Sequence, residues 1–236
     1  MNLTSTIYRS MTPMNGRGFG MALLSELVAT CEAQRLDTAA TLTVFARRLR
    51  EAGRVSKAGR GRGAAHMTFL DAARFLIACA ATDHPEQAAD AEYQFSNAVF
   101  SHGLDGTSFH LDATIAPTLD IGLARLLGAI ADGTIDEAHH AKGSPFAPML
   151  SLLVFRGGVN ANIRVQGSEY HFSHPTLSAV VSAPDYLSQK PLSEAYERET
   201  YRFRNGKNLI AELNATLLRA VANLIAGNAR EPASPS

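Results

Sequence analysis

A chain of 236 residues, 46% of them hydrophobic, with 22 basic and 22 acidic side chains, suffices for one large domain or two small ones and for a proper core. No apolar run approaches the roughly 18–20 residues that span a bilayer, and the first residues lack a basic-then-apolar leader pattern. The expectation is therefore a cytoplasmic protein with no membrane partner. Cys31 and Cys79 are too few for a disulfide framework, and neither has the CxxC spacing that begins a zinc site.

The neutral total hides a segregation of charge. Residues 1–66 hold ten basic and four acidic residues, residues 67–150 three and eleven, and residues 151–236 nine and seven. One basic and one acidic surface are expected from this asymmetry. Its peak is RRLREAGRVSKAGRGRGAAHMT, residues 47–68, where Arg47, Arg48, Arg50, Arg54, Lys57, Arg60 and Arg62 face a single acid, Glu51. Gly59, Gly61 and Gly63 would let this backbone curve closely around a ligand, and arginine forks match phosphate oxygens.

In chain order, residues 1–18 have no apolar period and read as an irregular arm. Leu24, Leu27, Val28 and Cys31 mark a helix over about 20–34. Asp37 or Thr38 caps a second helix to Ala52, with Leu42, Phe45 and Leu49 inward and Thr43, Arg47 and Arg50 on a separate polar stripe. Gly53 stops it. Residues 54–67 read as a short hairpin or an extended loop. Thr68 and Asp71 form a capping-box start for a third helix through Phe69, Ala73, Leu76 and Ala80. Asp83 and Pro85 open a fourth, with Tyr93, Phe95, Val99 and Phe100.

Beyond about Gly103 the texture changes. TSFHLDATI (107–115) alternates like a strand, and APTLDIGLARLLGAIADG reads as a helix ending at Gly133. Residues 149–156, 161–166 and 169–173 form a meander with Gly157-Gly158 and Gly167-Ser168 at its turns. ETYRFR (199–204) is a further strand candidate. Ile210, Leu213, Leu217, Val221 and Leu224 keep helical spacing to the end of the ordered chain. The fold class expected is α+β: an irregular arm 1–18, a helical domain 19–102, an antiparallel sheet with helices over 103–226, and a disordered tail 227–236.

The order helix, LREAGRVSKAGRGRGAAHMT, helix resembles a winged helix. The resemblance makes Leu49-Arg50-Glu51-Ala52-Gly53-Arg54-Val55 the exit of a recognition helix, residues 54–67 the wing, and Thr68 the cap of the return helix. The same "AG…GRG…HMT…DAA" pattern is similar to uncharacterised proteins carried by prophages of α-proteobacteria, which implies a phage origin. Independently of either, a helix fits the DNA major groove, where arginine can fork onto guanine, and a basic loop can follow phosphates or enter a minor groove. The competing explanation is a solvated basic face, or a basic patch docked on the acidic middle segment.

Three histidine groups invite a metal or acid–base reading: His171 and His174 near Glu169, His110 with Asp112, and His139-His140 beside Asp136 and Glu137. None has diagnostic spacing, and the last reads as a solvated loop. Gly16-Arg17-Gly18-Phe19-Gly20 has no preceding strand and the wrong spacing for a dinucleotide loop, no P-loop or GxSxG is present, and no cofactor is expected. The reading favoured by the sequence is a DNA-binding regulator or accessory factor, of phage derivation by resemblance, binding double-stranded DNA as a homodimer through Thr43, Arg47, Arg48, Arg50, Arg54, Lys57, Arg60 and Arg62. Its alternatives are a phage structural or adaptor protein using the basic loop for protein contacts, and an enzyme with its site around His171. No catalytic signature supports the last.

Overall fold

A computed structural model of the protein describes residues 22–56, 66–104, 109–141, 143, 146–203 and 208–228. The arm expected over 1–18 lies outside them, as does the tail expected over 227–236 apart from Gly227 and Asn228.

The helical half follows its sequence signals closely. Helix α1 (Leu24–Ala33) buries Leu24, Leu27, Val28 and Cys31. Helix α2 (Ala39–Glu51) starts where the Thr38 hydroxyl accepts from Thr41 N, and it buries Leu42, Phe45, Ala46 and Leu49. It ends where Gly53 turns to a φ of +70°, the left-handed exit that glycine adopts without strain. Helix α3 (Phe69–Ala81) opens on the reciprocal Thr68–Asp71 capping box and is buried on almost every side, including Phe75, Leu76 and Ile77. It is the central helix of the molecule. Helix α4 (Ala88–Ser96) follows a 3-10 turn at Pro85–Gln87.

Strand β1 (Val99–Leu104) then corrects the expectation that Val99 and Phe100 extend the fourth helix. The helix stops at Asn97, whose side-chain amide donates to Tyr93 O at 2.6 Å. Val99 bridges to Thr118 and pairs with Ser173. Residues 109–115, expected as a strand, carry none, and Asp112 turns the chain there by accepting from Thr114 N and Ile115 N. Helix α5 (Leu119–Ala131) ends near Gly133 as expected, and α6 (Thr134–His140) replaces the loop expected around His139 and His140.

Strands β2 (Leu150–Phe155), β3 (Asn160–Val165) and β4 (Ser168–Ser173) are the expected meander. Two helices follow, α7 (Pro175–Ser182) and α8 (Tyr186–Thr200), with a 3-10 turn at Tyr201–Phe203 where ETYRFR was expected to be a strand. Strand β5 (Ile210–Asn214) and helix α9 (Ala215–Ile225) close the fold. Ile210 and Leu213 therefore belong to a strand and not to the last helix. Asn214 caps α9 by accepting from Leu217 N at 3.0 Å.

The five strands form one antiparallel sheet in the order β1-β4-β3-β2-β5. Helices α3, α5 and α9 cover one face, against Leu152, Val154, Ala161, Ile163, Tyr170, Phe172 and Leu213, all at most 3% exposed. Helix α5 lies so close that a Cβ on Gly122 would sit 2.8 Å from Phe172 Cζ. The domain boundary expected near residue 103 falls inside β1. Buried residues on both sides of it share one core, with α3 packed on α5 and α1 on α9. The α+β class stands. Beside the basic segment, residues 54–56 and 66–68 form no strand.

Leu217, 4% exposed in α9, tests this packing. Leu217→Ala is expected to cost about 2–5 kcal/mol, read as a shift in urea unfolding at constant slope. A loss below about 0.5 kcal/mol, the range of surface changes, would place α9 off the core.

Candidate nucleic-acid interface

Helix α2 has two unlike sides. Its inner side carries the buried Leu42, Phe45 and Leu49, and its outer side exposes Thr43, Arg47 and Arg50 in one stripe. The Thr43 hydroxyl donates to Ala39 O at 2.7 Å, which holds the side chain against the helix. Arg47 and Arg48 share Glu51, with N–O distances of 3.8 and 3.3 Å and all three side chains well exposed. Exposed pairs of this kind contribute about 0–1 kcal/mol, so either arginine can exchange Glu51 for a phosphate at little cost.

Arg54 is held differently. Its Nε and Nη2 donate to Glu92 Oε2 and Oε1 at 2.5 and 3.0 Å, and the Glu92 side chain is completely buried. The Ser96 hydroxyl donates to Glu92 Oε1 at 2.5 Å. Arg74 lies 3.9 Å from the same oxygen, donates to Asp120 Oδ2 at 3.0 Å and reaches Arg54 O at 3.2 Å. The hydrogen bond to Glu92 raises the Arg54 pKa above its ordinary value, against a smaller lowering by burial. Removing a partner from such a pair leaves an uncompensated buried charge, so Arg54 is an internal strut, and its fork is turned away from solvent.

Both described flanks of the Gly-Arg run are tied to one acid. Asp71, 5% exposed, accepts from Ser56 N and Oγ at 2.8 and 2.9 Å and from Thr68 N and Oγ1 at 3.0 and 2.8 Å. Val55 and Met67 are buried beside these contacts, and Met67 N donates to Ala22 O. The chain is thus fixed to the core at Val55–Ser56 and again at Met67–Thr68, on either side of residues 57–65. Lys57, Arg60 and Arg62 lie outside the described residues.

The candidate histidines go to separate places. His171 on β4 stacks on His102 of β1, with ring centroids 4.1 Å apart and planes 12° from parallel. Its Nε2 is 3.9 Å from Glu169 Oε1, which also accepts from Asn162 and Arg164. Burial, and then the neighbouring His102, push the His171 pKa below its ordinary value. Burial also works to raise the Glu169 carboxyl, but the hydrogen bonds from Arg164 and Asn162 together outweigh it and hold it low. His102 had no signal in the sequence, because only the β1–β4 register brings it to His171.

His174, 5% exposed, is the N-cap of α7, with Nδ1 accepting from Thr176 N at 3.3 Å. Burial lowers its pKa against the opposing pull of Glu199. His110 meets Asp112 at 3.3 Å on an exposed turn. Near His139 and His140, Asp136 takes both Arg219 Nη atoms at 2.7 Å. Among the described residues no group of three or more His, Cys, Asp or Glu side chains is placed to hold a metal ion, and no helix is long and apolar enough to cross a membrane.

The two depressed histidines give the fold a pH dependence of known sign. Each is harder to protonate folded than unfolded, so the unfolded chain takes up more protons below the ordinary value of 6.5. Their contribution is complete above that value and is lost as pH falls through it. The urea midpoint should therefore drop between about pH 7.5 and pH 5, and His174→Asn, which keeps a capping acceptor that does not titrate, should reduce the drop. A wild-type midpoint that is flat or rising on acidification would contradict this assignment. Comparison of the chain with protein-family models, with curated proteins and with solved structures finds no match.

Proposed function

We propose that this protein binds double-stranded DNA through the outer side of α2 and the basic segment that follows it, as a regulator or accessory factor working as a dimer. The observation that carries the reading is the outward stripe of Thr43, Arg47 and Arg50 on a helix whose other side is buried, next to a basic segment whose described flanks, Ser56 and Thr68, are both fixed on Asp71. A helix rooted in a core presents its arginines at a constant angle, as a groove reader must. Arg48 extends the same surface. Lys57, Arg60 and Arg62 supply the sequence-independent hold on phosphates. A dimer would double the contact and set a half-site spacing.

An assembly role is the second reading, and one observation favours it. Val181, Tyr186 and Leu187 on α7 and α8 are 71–82% exposed, and exposed apolar groups of this kind mark contacts between proteins.

Duplex affinity measured against salt separates the two. DNA binding predicts a steep fall, with each of Arg60→Ala and Arg62→Ala flattening the log–log slope by about 0.9 on any sequence. Arg47→Ala and Arg50→Ala should also lose about 1–3 kcal/mol of discrimination between sequences. Arg54→Ala should instead cost about 3 kcal/mol of folding stability, the low end for a broken buried pair because Arg74 stays near Glu92. Absence of any duplex shift at about 50 mM salt, where electrostatic binding is favoured, would leave the assembly reading in its place.

A further inference from the structure

Glu51 is the single acid in the basic run of residues 47–62, and it is the last residue of α2. Thr43, Arg47 and Glu51 follow one another at i, i+4 and i+8, and all three are exposed. The carboxylate therefore stands one turn beyond Arg47 on the same outward side of the helix. Its two oxygens serve two different arginines. Oε1 lies 3.8 Å from Arg47 Nε, and Oε2 accepts from Arg48 Nη1 at 3.3 Å.

Helix stability does not account for an acid at this position. A carboxylate at a helix C-terminus meets the negative end of the helix dipole. Arg47 precedes Glu51, which is the weaker order for an i, i+4 pair. The acids at the opposite end of α2 have the favourable placement: Asp37 accepts from Thr38 N at 2.6 Å, and Glu32 accepts from Ala39 N at 3.1 Å. Nor does Glu51 satisfy the arginines it holds. Arg48 Nε is buried and has no acceptor among the described residues, and a donor removed from water without a partner is unfavourable. Arg48 is better satisfied in another rotamer, on an acceptor supplied from outside.

Resting on the DNA reading above, we propose that Glu51 sets how strongly this surface discriminates between sequences. On a duplex of arbitrary sequence the acceptors offered to α2 are mainly phosphates. Glu51 repels them and competes for Arg47 and Arg48, so non-specific binding is weakened. At a preferred sequence guanine N7 and O6 accept from Arg47, and a cytosine N4 amine donates to the released carboxylate. The acid is penalised on the wrong sequences and compensated on the right one, a route to specificity that attractive contacts alone do not give.

The test compares wild type with Glu51→Gln, which keeps the side-chain length and removes the charge. Fluorescence anisotropy of the full chain is read on a random-sequence duplex pool and on the duplex that wild type enriches from that pool. Glu51→Gln should bind the random pool about fivefold more tightly, the upper scale of a surface charge contact. Its log–log salt slope there should be steeper by about 0.9, as one more arginine reaches a phosphate. The enriched duplex should gain nothing, so the ratio of the two affinities falls by the same factor. The urea midpoint should not fall, whereas loss of a helix-supporting ion pair would lower it. An unchanged affinity for the random pool, an equal gain on both duplexes, failure of wild type to enrich any duplex, or a lowered urea midpoint would overturn the proposal. If neither protein binds any duplex at about 50 mM salt, the DNA reading has failed and this proposal with it. Binding by wild type that Glu51→Gln leaves unchanged removes only the role of Glu51.

Discussion

Glu92, fully buried on α4, is satisfied from three elements at once: the Arg54 fork from the exit of α2, the Ser96 hydroxyl one turn along, and Arg74 of α3 at 3.9 Å. A carboxylate out of water costs several kcal/mol unless such partners are in place, so the four groups are placed together or not at all. Arg74 passes the constraint on to Asp120 at the start of α5, where the Thr118 hydroxyl also donates. The last turn of α2 is fixed by the residue that follows it into the interior. The orientation of Arg47 and Arg50 on the surface is a consequence of where Arg54 is buried.

The same principle organises the charge asymmetry of the chain. The acidic middle third was expected to form one acidic surface. Much of it instead holds arginines from the other two thirds: Asp83 binds Arg156, Asp90 binds Arg202, Glu92 binds Arg54 and Asp136 binds Arg219. Arg156 also donates to Ala80 O at the end of α3. The Asp83 and Asp136 carboxyls are held below their ordinary range by the bidentate arginine hydrogen bonds they accept. These pairs join segments far apart in sequence and include the one basic residue of the 47–62 run, among those described, that points inward. Arg47 and Arg48 pair with the exposed Glu51, Arg50 is exposed beside them, and the excess of positive charge remains with them.

What was legible in the sequence was local. Thr38, Gly53, the Thr68–Asp71 box and the meander 150–173 carry their own signals in caps, turns and alternation, and each formed as read. Two of the errors share a cause. Val99–Leu104 and Ile210–Asn214 are the two outer strands of the sheet, defined by partners about 70 and 60 residues away. Their apolar spacing joins smoothly to a neighbouring helix: Ile210 and Leu213 fit the period of Leu217 and Val221, and only the Asn214 cap interrupts it. Helices α7 and α8 bury too little to leave an apolar period. The basic run was visible as charge, but that Arg54 differs from Arg47 depends on Glu92, which lies 38 residues downstream.

The most direct test of the account is a map of where a duplex touches the folded protein, by amide chemical-shift changes during titration of the labelled chain with a short DNA duplex at low salt. The account predicts changes concentrated at Thr43, Arg47, Arg48 and Arg50 and along residues 57–65, with the amides of α8 and of the outer sheet around His102 and His171 unmoved. Changes centred on α8 or on the His102–His171 face, with α2 silent, would contradict it.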